Sequence, residues 1–485
     1  MGNARMHKAP AAAKPGRWGI CGLAGKKFHL IGAGGIGVSG LAQVLMKNKA
    51  VVTGSDQTAT AVTTRLRQQG ADIKIGHKAG YIKDDIDGVV ISAAIEQDNP
   101  ELVQARTQGC KIYKYAELLG ELMDNYDGIA VSGTHGKSTT SGWLAWLFSK
   151  AGLEPNFIIG ADVTQLGGSS GVGNGRYFIA EACEYDRSFL NLRPKIACIL
   201  NIEADHLDYY RDENEIVETF GEFARGIRPD GLLVANGMDV NTARLLNTLP
   251  PGGRCQTFGL DKGCDFSAHN IHFGKELTGF EVYRNKKLLG TAEIALPGFH
   301  NIMNALAVIA TAIDAGLESG QVLALLGQFN GVERRLTLKE RLGDITVLDD
   351  YAHHPTEIKA SLEAIRQRYQ PKRLWCVFQP HQYSRTRFFL DDFAESFKLS
   401  DVTIMPQIYF VRDTQKARKE VNSQKLVERI CGNGTEAVFI DDFDGICDYL
   451  TEKVSAGDVV VTMGAGDIWK VADGYIQRLR ENSQK

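Results

Sequence analysis

Short apolar runs recur along this chain, each closing on a glycine-bearing or acidic turn and each followed by a longer stretch with helical spacing. The first set is Lys27–Ile31, Ala50–Asp56 and Gly88–Ser92. A second set runs Gly128–Val131, Tyr177–Ala180, Ile196–Asn201 and Leu232–Ala235. A third comprises Ile345–Leu348, Arg373–Phe378, Val402–Met405, Ala437–Ile440 and Asp458–Met463. Continuous apolar runs alternating with helical segments predict parallel strands covered on both faces, an α/β fold. Between the second and third sets, Phe266–Ile294 reads as hairpin-like, with Gly274-Lys275 and Arg284-Asn285 as turns. A helix is predicted to begin near Asn301, and another at Trp143–Phe148. The restarts divide the chain into a tail at 1–25, then domains at 26–121, 122–332 and 333–485.

Composition narrows the class. A chain of 485 residues is too long for one core. Its hydrophobic content of 44%, charged content of 23% and net charge of −3 are those of an ordinary globular protein. They give no support for nucleic-acid or membrane-surface binding. No apolar run approaches the ~20 residues that span a bilayer. The nine cysteines show no C-x-x-C pair, which speaks against zinc and dithiol sites, and an odd count suits a reducing cytoplasm. Residues 1–25 lack the apolar core of a secretory signal, and Met6 stands where a myristoylation motif wants Ser or Thr. A disordered tail is expected there.

The strongest chemical signal is Gly133-Thr134-His135-Gly136-Lys137-Ser138-Thr139, between a strand and a helix. Glycines let backbone N–H groups close on phosphate oxygens, and the helix N-terminus adds positive potential. Lys137 is expected on the outer phosphates and the Ser138 hydroxyl on Mg²⁺. The general G-x-x-x-x-G-K-[ST] pattern is incomplete, since Val131 stands where its first glycine belongs.

Gly32-x-Gly34-Gly35-x-Gly37 also follows a strand and opens a helix, and Ser55 and Asp56 end the next strand. This is a dinucleotide fingerprint, and on local features it suggests an NAD-dependent oxidoreductase. The glycines answer to any diphosphate, however, including that of a UDP-sugar, and a separate ATP loop lies downstream. Glu181, Glu184 and Asp186 follow one strand, and Asn201 to Asp208, with His206 among them, follow the next. Carboxylates at the C-terminal edges of parallel strands face the ligand crevice and suit a hard cation. Asn301 and Asn304 lie one helical turn apart and can offer amides to an adenine edge. Arg334-Arg335, Asp349-Asp350-Tyr351-Ala352-His353-His354-Pro355 and Ser384-Arg385-Thr386-Arg387 supply cations and polar groups in the last block.

Together these motifs resemble the Mur ligases, ATP-dependent enzymes that build the peptide stem of bacterial cell wall. The resemblance runs from Gly32 to Met463-Gly464-Ala465-Gly466-Asp467-Ile468-Trp469. It implies a Rossmann-like N-terminal domain binding the UDP-sugar through Gly32, Gly34, Gly35, Gly37, Ser55 and Asp56. It implies a central P-loop ATPase domain and a Rossmann-like C-terminal domain binding the amino acid. ATP would meet residues 133–139, Asn301, Asn304, Arg335 and Asp350, the last on the ribose. Metal would be held by Ser138, Glu181 and His206, and catalysis carried by Lys137, Glu181, His206 and Arg335. Tyr351, His353 and Arg385 would receive the amino acid, with His353 or His354 as a weak candidate for general base. Cys183 and Tyr185 depart from the family's Glu-Ala-Asp-Glu-Ser-Asp run. Later-acting members carry a carbamylated Lys shortly after the His206 region, whereas residues 207–230 hold no Lys. That absence points to the alanine-adding branch, with UDP-N-acetylmuramate, L-alanine and ATP as substrates and Mg²⁺ as cofactor. The expected enzyme is a cytoplasmic monomer or homodimer that touches neither nucleic acid nor membrane. The alternative is a wall-recycling ligase that adds a preformed tripeptide.

Overall fold

The computed structural model describes residues 22–411, 413 and 415–483. Most of the expected tail therefore lies outside the described residues; of its last four, Leu23 is fully buried. Three sheets carry the fold.

The first sheet is all parallel, in the spatial order Asp72–Ile75, Val51–Asp56, Lys27–Ile31, Gly88–Ile91, Ile112–Lys114. The helix Ile36–Lys47 opens directly after the glycine-rich turn. The order reverses at Lys27–Ile31, so the crevice of this doubly wound sheet lies over Gly32–Gly37.

The second sheet has ten strands. Its parallel centre runs Arg254–Gly259, Leu232–Asn236, Ile196–Ile199, Asp127–Ser132, Tyr177–Glu181, Asn156–Val163. One end is an antiparallel meander of Phe266–Phe273, Thr278–Arg284 and Lys287–Ile294, which turns at the two sites read from the sequence. The other end is the short antiparallel strand Gly168–Gly171.

The third sheet runs Thr337–Leu342, Ile345–Asp350, Val459–Met463, Leu374–Phe378, Val402–Met405, Glu436–Phe439, and only its first pairing is antiparallel. The described residues contain no helix long and apolar enough to cross a membrane.

One helix boundary differs from expectation. The helix expected at Trp143 begins at Lys137 and runs to Lys150. Its first turn is Lys-Ser-Thr-Thr-Ser, a set of weak helix formers that masks the start. Residues 138–148 are all buried, so no apolar stripe marks the helix. Burial between the central sheet and the helix Phe299–Asp314 overrides local propensity.

Candidate active site

The loop 133–136 takes its shape from two glycines. Gly133 has φ 144° and Gly136 has φ 85°, both in the left-handed region where a side chain is strained. A Cβ on Gly136 would also stand 2.7 Å from Asn304 Oδ1, so the loop turns against the helix that carries both asparagines. Asn304 Nδ2 donates to Asn301 Oδ1 at 3.1 Å, and Asn301 Nδ2 donates to the Pro297 carbonyl at 2.7 Å. Gly298 caps this helix without a side-chain hydrogen bond, so Asn301 is not its cap; the Asn301 amide is held by the Pro297 carbonyl instead. The loop is tied to the next strand by Asn201, whose Oδ1 accepts from His135 N at 2.8 Å and whose Nδ2 donates to the His135 carbonyl.

Lys137 folds back over the loop. Its Nζ donates to the Gly133 carbonyl at 2.6 Å, to the Thr134 carbonyl at 3.1 Å and to Glu184 Oε1 at 3.0 Å. Glu184 also lies 3.6 Å from His206 Nε2. Burial opposes charge on both members of the Lys137–Glu184 pair. Each outweighs that for the other, so the lysine pKa is raised and the carboxyl pKa lowered. Glu184 was read among the acidic residues of this segment but was not assigned a site role. The structure sets it between two residues that were. Its spacing, one helical turn past Glu181, was the available signal.

Glu181 sits at the end of its strand, accepting from Gly160 N and from Ser141 Oγ. His206 has φ 54° and Gln382 has φ 69°. Such strain in non-glycine residues gathers where ligands are handled. Candidate donors for a cation are the Ser138 hydroxyl, the Glu181 and Glu184 carboxylates and the His206 imidazole, of which Glu184 and His206 are in contact. Glu184 Oε2 is buried without a hydrogen-bond partner, a lone acceptor in a site made chiefly of oxygens. These residues fit Mg²⁺, which prefers oxygen ligands.

A cavity of about 240 Å³ opens beside the loop. His135 and Gly136 line it from the loop, Thr139 from the helix that follows, Asn301 and Asn304 from their helix, and Arg335 and Asp350 from the third sheet's side. Asp350 accepts from Ser361 Oγ at 2.5 Å and from Ala352 N at 3.1 Å. Burial nevertheless pushes its carboxyl up to about 6. Arg335 lies 3.5 Å from Glu357, and its guanidinium stacks over the Tyr351 ring at 5.0 Å.

Of the residues predicted to receive the amino acid, Arg385 lines a smaller cavity of about 110 Å³ together with Asp205, His206 and Gln382 among others, whereas Tyr351 and His353 do not line it. Arg385 Nη2 donates to Asp205 Oδ1 at 2.8 Å, with both side chains buried. Burial would raise the Asp205 pKa, but the guanidinium holds it well below the carboxylate range. Asp205 in turn lies 3.8 Å from His206. Tyr351 and His353 meet edge to face at 5.4 Å, and His353 meets His381 at 6.2 Å. Burial drives the His353 imidazole down to about 4, so it stands neutral at pH 7. The Arg385 partner, Asp205, and the Arg335 partner, Glu357, escaped sequence reading, because each pair joins residues distant in the chain.

In the first sheet, Gly32 N and Ala33 N both donate to the Ser55 carbonyl at 2.9 Å, and Gly35 N donates to the Gly32 carbonyl. Gly34 N donates to Asp56 Oδ2 at 2.8 Å. Several of the loop's N–H groups therefore have partners inside the protein. A Cβ on Gly37 would stand 2.6 Å from the Tyr115 ring, so this glycine serves close packing. Ser55 Oγ donates to buried Glu101 at 2.8 Å and lies 3.0 Å from His77.

Family profiles match in chain order: the Mur ligase family catalytic domain at 27–127, the Mur ligase middle domain at 131–312, and the Mur ligase glutamate ligase domain at 334–466. The chain belongs to the Mur ligase family. Among Mur ligases it is 41% identical over 457 residues to the UDP-N-acetylmuramate–L-alanine ligase of Acetivibrio thermocellus, covering 93% of this chain and 96% of that one. It is 42% identical over 455 residues to the enzyme of that name from Clostridium novyi, covering 93% and 97%. The solved Mur ligases include the UDP-N-acetylmuramate–alanine ligase of Thermotoga maritima, with TM-score 0.78 and 28% identity over 94% of this chain and 99% of that one. A murein peptide ligase from Psychrobacter arcticus superposes with TM-score 0.67 at 26% identity over the same shares. The three-domain Mur ligase architecture is thus that of this chain.

Proposed function

We infer that this Mur ligase joins the carboxylate of UDP-N-acetylmuramate to the amine of L-alanine, consuming ATP, in the synthesis of peptidoglycan precursor. The observation that carries the reading is identity above 40% with alanine-adding ligases along 93% of the chain. The Lys-free stretch 207–230 agrees with it. Amide formation in water is uphill, so the acid must first be activated. The muramoyl carboxylate attacks the γ-phosphate, ADP leaves, and the alanine amine displaces phosphate from the acyl phosphate. This chemistry needs charge neutralisation and positioning.

Lys137, freed from the two loop carbonyls, turns to the transferring phosphoryl group. Ser138, Glu181, Glu184 and His206 would hold Mg²⁺, which would neutralise phosphate charge. Arg335 adds a second cation from the C-terminal domain. Asn301, Asn304 and Asp350 line the nucleotide cavity, and Arg385 offers its remaining N–H groups to the alanine carboxylate. His353, neutral at pH 7, is able to accept a proton. ATP places the reaction in the cytoplasm.

Incubation with ATP, Mg²⁺ and UDP-N-acetylmuramate, with phosphate release followed, tests the reading. Free L-alanine is expected to support turnover, glycine and L-serine to do so more slowly, and D-glutamate not at all. One methyl group is worth roughly 1–3 kcal/mol in a small pocket, so discrimination against glycine is modest. Turnover with L-Ala-γ-D-Glu-meso-diaminopimelate but not with alanine would instead establish the recycling reaction.

Two further results are expected. Gly34→Val should raise KM for the UDP-sugar and leave ATP affinity in place. Its Cβ would stand 2.9 Å from Asp56 Oδ2 and 3.2 Å from Thr63 Cγ2, deforming the turn that faces the diphosphate. Equal losses for both substrates would break the assignment of this loop. ATP affinity should fall as pH drops through about 6, where Asp350 gains a proton and loses its capacity to accept two ribose hydroxyls. Asp350→Asn should flatten that step in a fluorescence titration. Because this carboxyl is raised in the folded state, its ionisation disfavours folding, and its contribution declines as pH rises from about 4 through 6.

A further inference from the structure

One side-chain cluster lies apart from the Ser138–Glu181–Glu184–His206 donor set and joins the second and third domains. His135, Glu203 and His354 each offer one ligand atom, and these atoms lie within 4.8 Å of one another. His135 Nε2 is 3.4 Å from Glu203 Oε2, and His354 Nδ1 is 3.8 Å from the same oxygen. Ligands bound at about 2.0–2.1 Å around a tetrahedral cation stand roughly 3.3–3.5 Å apart. The cluster is therefore within a few tenths of an ångström of metal-binding spacing on two of its edges.

Each group also has a neighbour behind it. His135 Nδ1 lies 3.1 Å from Glu357 Oε1 without hydrogen-bond alignment, and Nε2 stands on the Glu203 side. Glu203 accepts from Thr356 Oγ1 at 2.7 Å. His354 Nε2 donates to the Ala204 carbonyl at 3.2 Å, so Nδ1 carries the lone pair; it accepts from Thr356 N at 3.3 Å as the cap of the helix Pro355–Tyr369, and a cation on Nδ1 would replace that cap. A carbonyl partner of this kind fixes the tautomer and raises the basicity of a ligating imidazole.

Two imidazoles and one carboxylate suit Zn²⁺ and its first-row neighbours, and they suit Mg²⁺ poorly. We propose that His135, Glu203 and His354 form a Zn²⁺-class site that ties the nucleotide loop to the C-terminal domain. Its ligands come from both sides of the domain junction, so binding stabilises the arrangement in which these groups meet. His135 and Glu203 also line the nucleotide cavity, so an occupied site stands at the wall of that cavity.

The test is calorimetric titration of the metal-free full chain with Zn²⁺ in excess Mg²⁺. One equivalent is expected to bind, and Co²⁺ in its place should give d–d absorption without an intense thiolate charge-transfer band. The last point excludes the free cysteines as ligands. His354→Asn keeps a capping side chain for the helix Pro355–Tyr369, and Glu203→Gln keeps an acceptor for Thr356. Each should weaken Zn²⁺ by about 10-fold or more, and each should lose the rise in melting temperature that Zn²⁺ gives the parent. If one variant does not fold, the other decides. Unchanged Zn²⁺ affinity in a folded variant, displacement by Mg²⁺, or a thiolate band from Co²⁺ would overturn the site.

Discussion

Lys137→Ala is expected to lower kcat for ligation by about 10²–10³-fold or more, with UDP-sugar binding close to that of the parent. The lysine is positioned to move a short distance. Its Nζ is held by two loop carbonyls and by Glu184, and rotation toward an incoming phosphate exchanges these contacts for a stronger charge. A cation that meets developing charge only during phosphoryl transfer acts on kcat. Glu184, buried and losing its main cation, should rise in pKa in the variant. Phosphate release measures the rate, and calorimetry with UDP-N-acetylmuramate measures the second site, whose glycine loop belongs to a different sheet. Turnover within tenfold of the parent would remove the loop from the ATP site.

Arg385→Ala is expected to destabilise the protein by about 3–5 kcal/mol, because it strands a buried carboxylate. Arg385 and Asp205 are both buried and 2.8 Å apart across the junction between the central and C-terminal domains. Asp205 is held well below its unfolded value of about 3.9. A carboxyl with a depressed folded pKa contributes fully above the unfolded value and loses that contribution as pH falls below it. Without the guanidinium, burial should raise the Asp205 pKa in the variant above its unfolded value. The deficit should therefore be largest above that raised pKa and begin to shrink as pH falls through it. It should shrink further below about pH 4, as the parent loses its own contribution. Urea unfolding at a series of pH values reads this directly. A deficit below about 1 kcal/mol at pH 7 would mean that the pair is solvated. Arg385→Lys keeps the charge but loses the fork, so it should raise KM for alanine far more than KM for ATP.

Much of the candidate nucleotide loop's shape was legible before the fold was known, since it comes from a contiguous run. Gly133 and Gly136 adopt left-handed backbone that other residues avoid, and Lys137 and Ser138 follow at fixed offsets. The asparagine pair and the run at 349–354 were also readable, each being a short segment at one element's end. The length of the Lys137–Lys150 helix was not, because buried residues surround it and its first turn has low helix propensity. The strands Asp72–Ile75, Asn156–Val163, Arg254–Gly259 and Thr337–Leu342 were not read either, nor were the short strands Gly168–Gly171 and Ile112–Lys114. Glycine and serine fill one, and the other spans three residues.

What the chain determined alone is whatever local chemistry and periodicity encode: three α/β blocks, their parallel strands, the turns that face the crevices and the residue types that meet phosphate. Only the tertiary structure decided which distant groups share charge. Glu184 stands between Lys137 and His206, Asp205 is paired with Arg385 across 180 residues, and His135 lies between Glu203 and Glu357. No periodicity records such pairings. Electrostatic energy depends on separation in space and on burial, and both are set when the three domains pack together.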